Sequence, residues 1–312
     1  MRTINTFFIV GVLIFAFDRV QGQQTATYAQ YMFNGLAINP AYAGSNEALV
    51  ATFLGRVQNV GLPGAPNTQT FSAHAPLLDK RMGLGALVIK DNLSIINQTG
   101  LHVSYAYRLP LKRDEAFLSF GLQGGASFYN AEYSQLDLFN SPSTGSSDPL
   151  FANDIRRARP NIGAGLYYNS RRSYLGLSMP SMVNNVFDRG EDLATIVQTK
   201  PVIVNGGHVF TLSRVLKLKP NFLFLLIDGK FADFDLNMSV LFDEVLWVGS
   251  SFKSSNQIVA FTQMKVNDQL QVGYSYTVTN GPIRVVELGS HEFMATYRFL
   301  YNKRGVISPR YF

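Results

Sequence analysis

Residues 269–279 read QLQVGYSYTVT. Leu270, Val272, Tyr274, Tyr276 and Val278 fall on one side of an extended chain, and Gln269, Gln271, Gly273, Ser275 and Thr277 on the other. Successive side chains of a strand point to opposite faces, so this is a strand with one apolar face and one small, polar face. Residues 100–109 repeat the pattern, with Leu101, Val103, Tyr105, Tyr107 and Leu109 against Gly100, His102, Ser104, Ala106 and Arg108. Residues 291–299 set Phe293, Ala295, Tyr297 and Phe299 against Glu292, Met294, Thr296 and Arg298. Residues 161–169 do so again, with Tyr167 an aromatic exception on the polar face.

The rhythm runs from about Glu47 nearly to the end. Fourteen such segments begin near Ala48, Thr68, Met82, Gln98, Ala116, Asn161, Tyr174, Pro201, Leu216, Phe231, Leu246, Gln257, Gln269 and His291. Strands of about ten residues, apolar outward and polar inward, in even number, are the signature of a bacterial outer-membrane barrel. The expected fold is therefore all-β, a transmembrane antiparallel β-barrel of fourteen strands over residues 47–302, with a tail at 303–312. A secreted β-sandwich would also alternate. The unbroken rhythm without a linker, and the Leu, Val, Tyr and Phe of the apolar face, favour the barrel.

The connections suggest an orientation. Those at 78–81, 112–115, 242–244 and 267–268 are short, whereas 134–158 is long and holds SPSTGSSDP. The stretch 182–200, with Gly190-Glu-Asp192 at its tip, is the second long one. Long loops are extracellular and short turns periplasmic in such barrels, which puts both long stretches on the outer face. Gly83, Gly85, Gly121, Gly163, Gly165 and other strand glycines suit bends or close approaches. Tyr105, Tyr107, Tyr167, Tyr168, Trp247 and Tyr301 suit interfacial girdles.

Composition agrees. Of 312 residues, 15% are charged, against about 25% in an average domain. No run beyond the N-terminus nears the roughly 18 apolar residues of a spanning helix. With no Cys, thiolate metal sites, disulfides and a lipidated N-terminal Cys are excluded. His74, His102, His208 and His291 show no ligand spacing, and no metal or other cofactor is expected. The net charge of +6 is spread without a basic stripe, so no nucleic-acid partner is expected. At the N-terminus, Met1-Arg2 precedes FFIVGVLIFAF (7–17) and Val20-Gln-Gly22, which reads as a signal peptide over 1–22.

Catalytic chemistry is poorly represented. Ser72 and His74 share a strand face, but no orienting acid or oxyanion donors accompany them, so both read as polar fillers of the lumen. The carboxylate pairs Asp114-Glu115, Glu191-Asp192 and Asp243-Glu244 read as solvated turn residues. Arg156, Arg157 and Arg159 form a basic cluster beside the long loop that contains Asp148. The arginines suit the membrane edge, where they would snorkel or meet lipopolysaccharide. Non-enzymatic work is expected.

The segment 23–46 does not alternate. Its large side chains, Tyr31, Met32, Phe33 and Tyr42 among them, need cover, either in the barrel as a plug or against a periplasmic partner. Here QYMFNGLAINPAYAG (30–44) resembles the opening motif of the PorP/SprF family of type IX secretion system membrane proteins. The likeness continues through RVQNVG (56–61), GAPNT (64–68), MGLG (82–85), GSHE (289–292) and SPRYF (308–312). Asn59-Val60 departs from the family's usual Gln-Trp-x-Gly.

The resemblance implies an outer-membrane barrel serving type IX secretion. Its partners would be exported or surface-anchored proteins with C-terminal sorting domains, including gliding adhesins, and periplasmic-side machinery. Candidate contact or plug residues are Tyr31, Met32, Phe33, Asn34, Asn39, Pro40, Tyr42, Gly44, Arg56, Asp148, Arg156, Arg157 and Arg159. The competing expectation is a porin-like or apolar-solute channel, although the inward positions lack the charged rings of an ion-selective pore.

Overall fold

The computed structural model describes residues 28–46, 48–77, 80–111, 115–133, 154–183, 185–187, 196–198, 200–281 and 287–299. Three single-turn 3-10 helices, Tyr31–Phe33, Gly35–Ala37 and Pro40–Tyr42, precede the sheet. The strands are β1 (Leu49–Val57), β2 (Asn67–Leu77), β3 (Met82–Leu93), β4 (Ile96–Leu111), β5 (Ala116–Ala131), β6 (Ile155–Ser170) and β7 (Ser173–Met179). Two short strands follow, β8 (Asn185–Phe187) and β9 (Ile196–Gln198), which pair only with each other. Then come β10 (Pro201–His208), β11 (Phe210–Thr211), β12 (Leu216–Ile227), β13 (Lys230–Phe242), β14 (Leu246–Lys253), β15 (Gln257–Lys265), β16 (Leu270–Thr279) and β17 (Ser290–Phe299).

Each wall strand pairs antiparallel with its neighbour in sequence. β7 joins β10, β10 joins β12, and β11 merely continues β10 against β12. First and last strands then meet, from Leu49↔Phe299 to Val57↔His291, which closes a fourteen-stranded barrel. Closure pairs the first and last strands, which would otherwise be edges that hydrocarbon cannot hydrate. Among the described residues no helix is long and apolar enough to cross a membrane; the strands do the crossing.

Side chains fall as the period of two requires. On β4, Gly100, His102, Ser104, Ala106 and Arg108 are buried while Leu101, Val103, Tyr105, Tyr107 and Leu109 are exposed. Phe53, Phe71, Phe120, Leu122, Leu175, Leu177, Leu236 and Phe293 extend that apolar belt around the outside. A belt of this kind belongs against lipid. Arginine in place of Val103 is expected to cost about 2–4 kcal/mol near the bilayer midplane, and about 0–1 in place of Asn97 at the strand's outer end. Urea unfolding of the barrel in liposomes would check the difference.

The turns at 171–172, 243–245 and 266–269 and the strand ends nearest Ser45 and Phe299 lie at one end of the barrel, and the end of β5, the start of β6, the end of β7 and the start of β10, which flank the two long connections, lie at the other. By the rule for outer-membrane barrels the first end is periplasmic. A two-residue turn, Asp228-Gly229, joins β12 to β13 with both φ angles positive (51° and 77°), the mirror-image geometry that matches hairpin twist.

Three expectations need correction. β6 starts at Ile155, not near Asn161, so Arg156, Arg157 and Arg159 stand on a strand paired with β5 rather than in a loop reaching 158. Tyr167 is buried on the lumen side and Trp247 packs against Phe33, also inside, so neither belongs to a girdle; Tyr105, Tyr107 and Tyr168 do face outward. Residues 1–22, Asp148, the tip at 190–192, Tyr301 and the tail 303–312 lie outside the described residues.

Candidate functional site: the filled lumen

The chain from Tyr28 to Ser45 lies inside the barrel. The wall strands spend most of their backbone groups on one another, so this segment must satisfy many of its own. It does so in tight turns, with Phe33 N–H donating to Gln30 O (3.0 Å), Asn34 N–H to Tyr31 O (3.2 Å) and Tyr42 N–H to Asn39 O (3.1 Å). Asn39 caps the third turn, its Oδ1 accepting from Ala41 N–H at 2.9 Å, with Pro40 at the first helical position, where a missing N–H costs nothing.

Two apolar clusters seat the plug. Tyr28, Tyr31, Met32 and Ile38 pack with Leu54, Ile203, Leu223, Leu225, Phe261 and Met294 of the wall. Leu36, Ala41, Tyr42 and Ala43 pack with Ala106, Tyr167, Tyr174 and Val209. Tyr42 meets Tyr167 edge-on at 5.3 Å and His74 at 5.2 Å. Each large side chain withdrawn from a water-filled lumen contributes about 1.5–3 kcal/mol. Ordering the backbone costs about 1–2 kcal/mol per residue, so the polar contacts decide which pose is held.

Those contacts run the length of the lumen. Near the outer end, the buried Glu292 carboxylate accepts from Ala29 N–H (3.0 Å) and Gln30 N–H (2.9 Å), and Tyr28 Oη is hydrogen-bonded to Thr70 Oγ1 (2.8 Å). In the middle, Ser72 Oγ donates to Asn34 Oδ1 (2.9 Å), Ser178 Oγ to Ile38 O (2.6 Å) and Asn39 Nδ2 to Leu166 O (2.9 Å). Near the periplasmic end, Gly44 N–H donates to His74 Nδ1 (3.2 Å). Ser72 and His74 thus both hold the plug.

The wall is shaped to the plug as well. A Cβ on Gly83 would overlap the Ala43 carbonyl, one on Gly121 the Ala41 backbone, and one on Gly165 the Asn39 side chain. Charges also line the interior. The Lys219 ammonium sits 4.9 Å from the Phe33 ring centre and 5.0 Å from that of Trp247, and Lys253 lies 3.5 Å from Asp235 with both buried. Arg108 lies over Phe117 at 4.4 Å and donates to Lys80 O. Among the described residues no cluster of His, Asp and Glu could hold a metal ion.

Tyr31, Met32, Phe33, Asn34, Asn39, Pro40, Tyr42 and Gly44 are therefore together in the lumen, and Arg56 stands on β1 directly across from Glu292. Arg156, Arg157 and Arg159 are apart from them, on the outer reach of β6. Thr70, Ser178, Glu292 and Lys219 escaped the sequence reading as plug contacts. Of these only Glu292 carried a signal, as a carboxylate on a lumen-facing row inside the GSHE stretch.

The family comparison takes in both the opening segment that fills the lumen and nearly all of the wall. The model for type IX secretion system membrane protein PorP/SprF covers residues 20–297. The chain belongs to the PorP/SprF family. No curated protein sequence matches it. Among solved structures, the CymD monoaromatic hydrocarbon channel resembles this PorP/SprF chain with a TM-score of 0.53 at 12% identity, over 90% of this chain and 95% of that one. The Acinetobacter baumannii outer membrane protein Omp33 gives 0.47 at 10% identity, over 82% and 100%. The likeness to CymD is one of fold. This PorP/SprF protein is an outer-membrane β-barrel of a type IX secretion family.

Proposed function

We propose that this barrel is a non-enzymatic docking component of type IX secretion. It holds exported or surface-anchored proteins bearing C-terminal sorting domains, gliding adhesins among them, and meets periplasmic-side machinery at its short-turn end. Outer-membrane lipid and lipopolysaccharide surround it. The observation that carries this reading is the filled lumen: eighteen residues packed and hydrogen-bonded into the barrel leave its ends and rim, not its bore, to do the work. Family membership supplies the secretion context.

Extraction from the native outer membrane in mild detergent tests it. A large exported protein with a C-terminal sorting domain is expected to co-purify, and the isolated barrel is expected not to conduct in planar bilayers. A solitary barrel with steady conductance would replace docking by the channel reading.

A further inference from the structure

Among the described residues, the outer part of β6 has no strand beside it on the side away from β5. β4, β5 and β6 are each sixteen residues long and pair along their whole length, out to Ile96, Ala131 and Ile155. β7 is only seven residues, and its ladder with β6 stops at Ala164↔Met179. There the chain turns inward. The Pro180 carbonyl accepts from the lumen-facing side chains of Gln123 (3.3 Å) and Asn161 (3.1 Å), and Ser181 is buried. β10 joins β7 only from Ile203↔Ser178 onward. Among the described residues, no strand pairs with 155–161 of β6 on the side away from β5.

The direction of the unused backbone groups follows from one bond. Met182 N–H donates to Ile162 O at 2.8 Å, so Ile162 turns its polar backbone away from β5. Residues of an antiparallel strand alternate in this respect, which turns Pro160, Ala158 and Arg156 the same way. Arg156 and Ala158 then offer both N–H and C=O on that side, and Pro160 a C=O alone. A sheet edge of this kind is a template for another strand.

Two features describe the strand that fits. Arg156 and Arg157 are exposed on opposite faces of this edge, and 155–161 (IRRARPN) contains no carboxylate. At its foot the outward face carries an apolar groove of about 580 Å³, lined by Tyr105, Leu122, Ala164, Leu177, Met179 and Val202. The groove continues the outward row of Ala158, Pro160 and Ile162. We propose that the β6 edge binds an extended acidic strand of the exported protein, which completes the wall by strand addition and seats an apolar side chain in the groove. This deepens the docking reading above and rests on it.

The full-length protein in its native outer membrane provides the test. A photo-crosslinking residue at Ala158 is expected to form adducts that map to one acidic segment of the co-purifying protein's sorting domain, and one at Val103 is not. Ala158→Pro removes an N–H that β5 does not use, and is expected to lower co-purification about ten-fold while the barrel still assembles. Should Ala158→Pro fail to assemble, the double variant R156E/R157E is expected to give the same loss. Adducts only to lipid or to the chain's own loops overturn the proposal. So does undiminished co-purification in the variants, which would leave docking itself intact. If the unaltered protein retains no exported partner, both readings fall.

Discussion

Leucine in place of Gly121 is expected to expel the plug and leave the barrel standing. The Cβ would meet the backbone of Pro40 and Ala41, and backbone cannot swing aside as a side chain can. Overpacking of this kind costs about 1–3 kcal/mol even where some relaxation is available. The wall has little room to relax, because Gly121 is paired on both sides, with Ala106 and with Gly165. The Pro40–Tyr42 turn must therefore lift, and with it the seats of Ala43 against Gly83 and Asn39 against Gly165. Planar-bilayer recording should show conductance that the unaltered protein lacks, and limited proteolysis should cut within 28–45. Gly124→Leu on the same strand is the control, since a Cβ there meets nothing within 4 Å. A silent Gly121→Leu would mean that the plug tolerates displacement at its closest approach.

Glu292→Ala is expected to release the outer end of the plug alone. The carboxylate takes two backbone N–H groups in a buried setting, and removing it leaves both without an acceptor. An unsatisfied buried donor costs about 1–3 kcal/mol, so the two together correspond to roughly 30- to 10⁴-fold in local opening. Amide hydrogen exchange at Ala29 and Gln30 should accelerate within that range. Tyr42 and Ala43, fastened near His74 and Gly83, should keep their protection. Equal acceleration at both ends would show the plug to be a single cooperative unit.

The strands were largely legible in the sequence because alternation is local. Their observed starts agree closely with the expected ones except for β6. There IRRARP offers no alternating apolar face, and pairing with 126–131 of β5 imposes the strand, an override of local pattern by sheet context. Residue type alone points Trp247 and Tyr167 to the interfacial girdles, but their rows, shared with Gly249 and Ser251 and with Gly165 and Asn169, point inward. The plug was legible only as a segment in need of cover. Which wall residues provide it depends on contacts far apart in sequence, and a glycine such as Gly83 does not reveal whether it bends a strand or admits a neighbour.

The first and last strands meet at a seam, with the opening segment already enclosed by it. A closed ring cannot admit its own leading segment sideways, and Glu292, which fastens that segment, belongs to the final strand. The earliest part of the chain therefore waits for the latest. The plug's outer fastening is complete only once β17 lies beside β1.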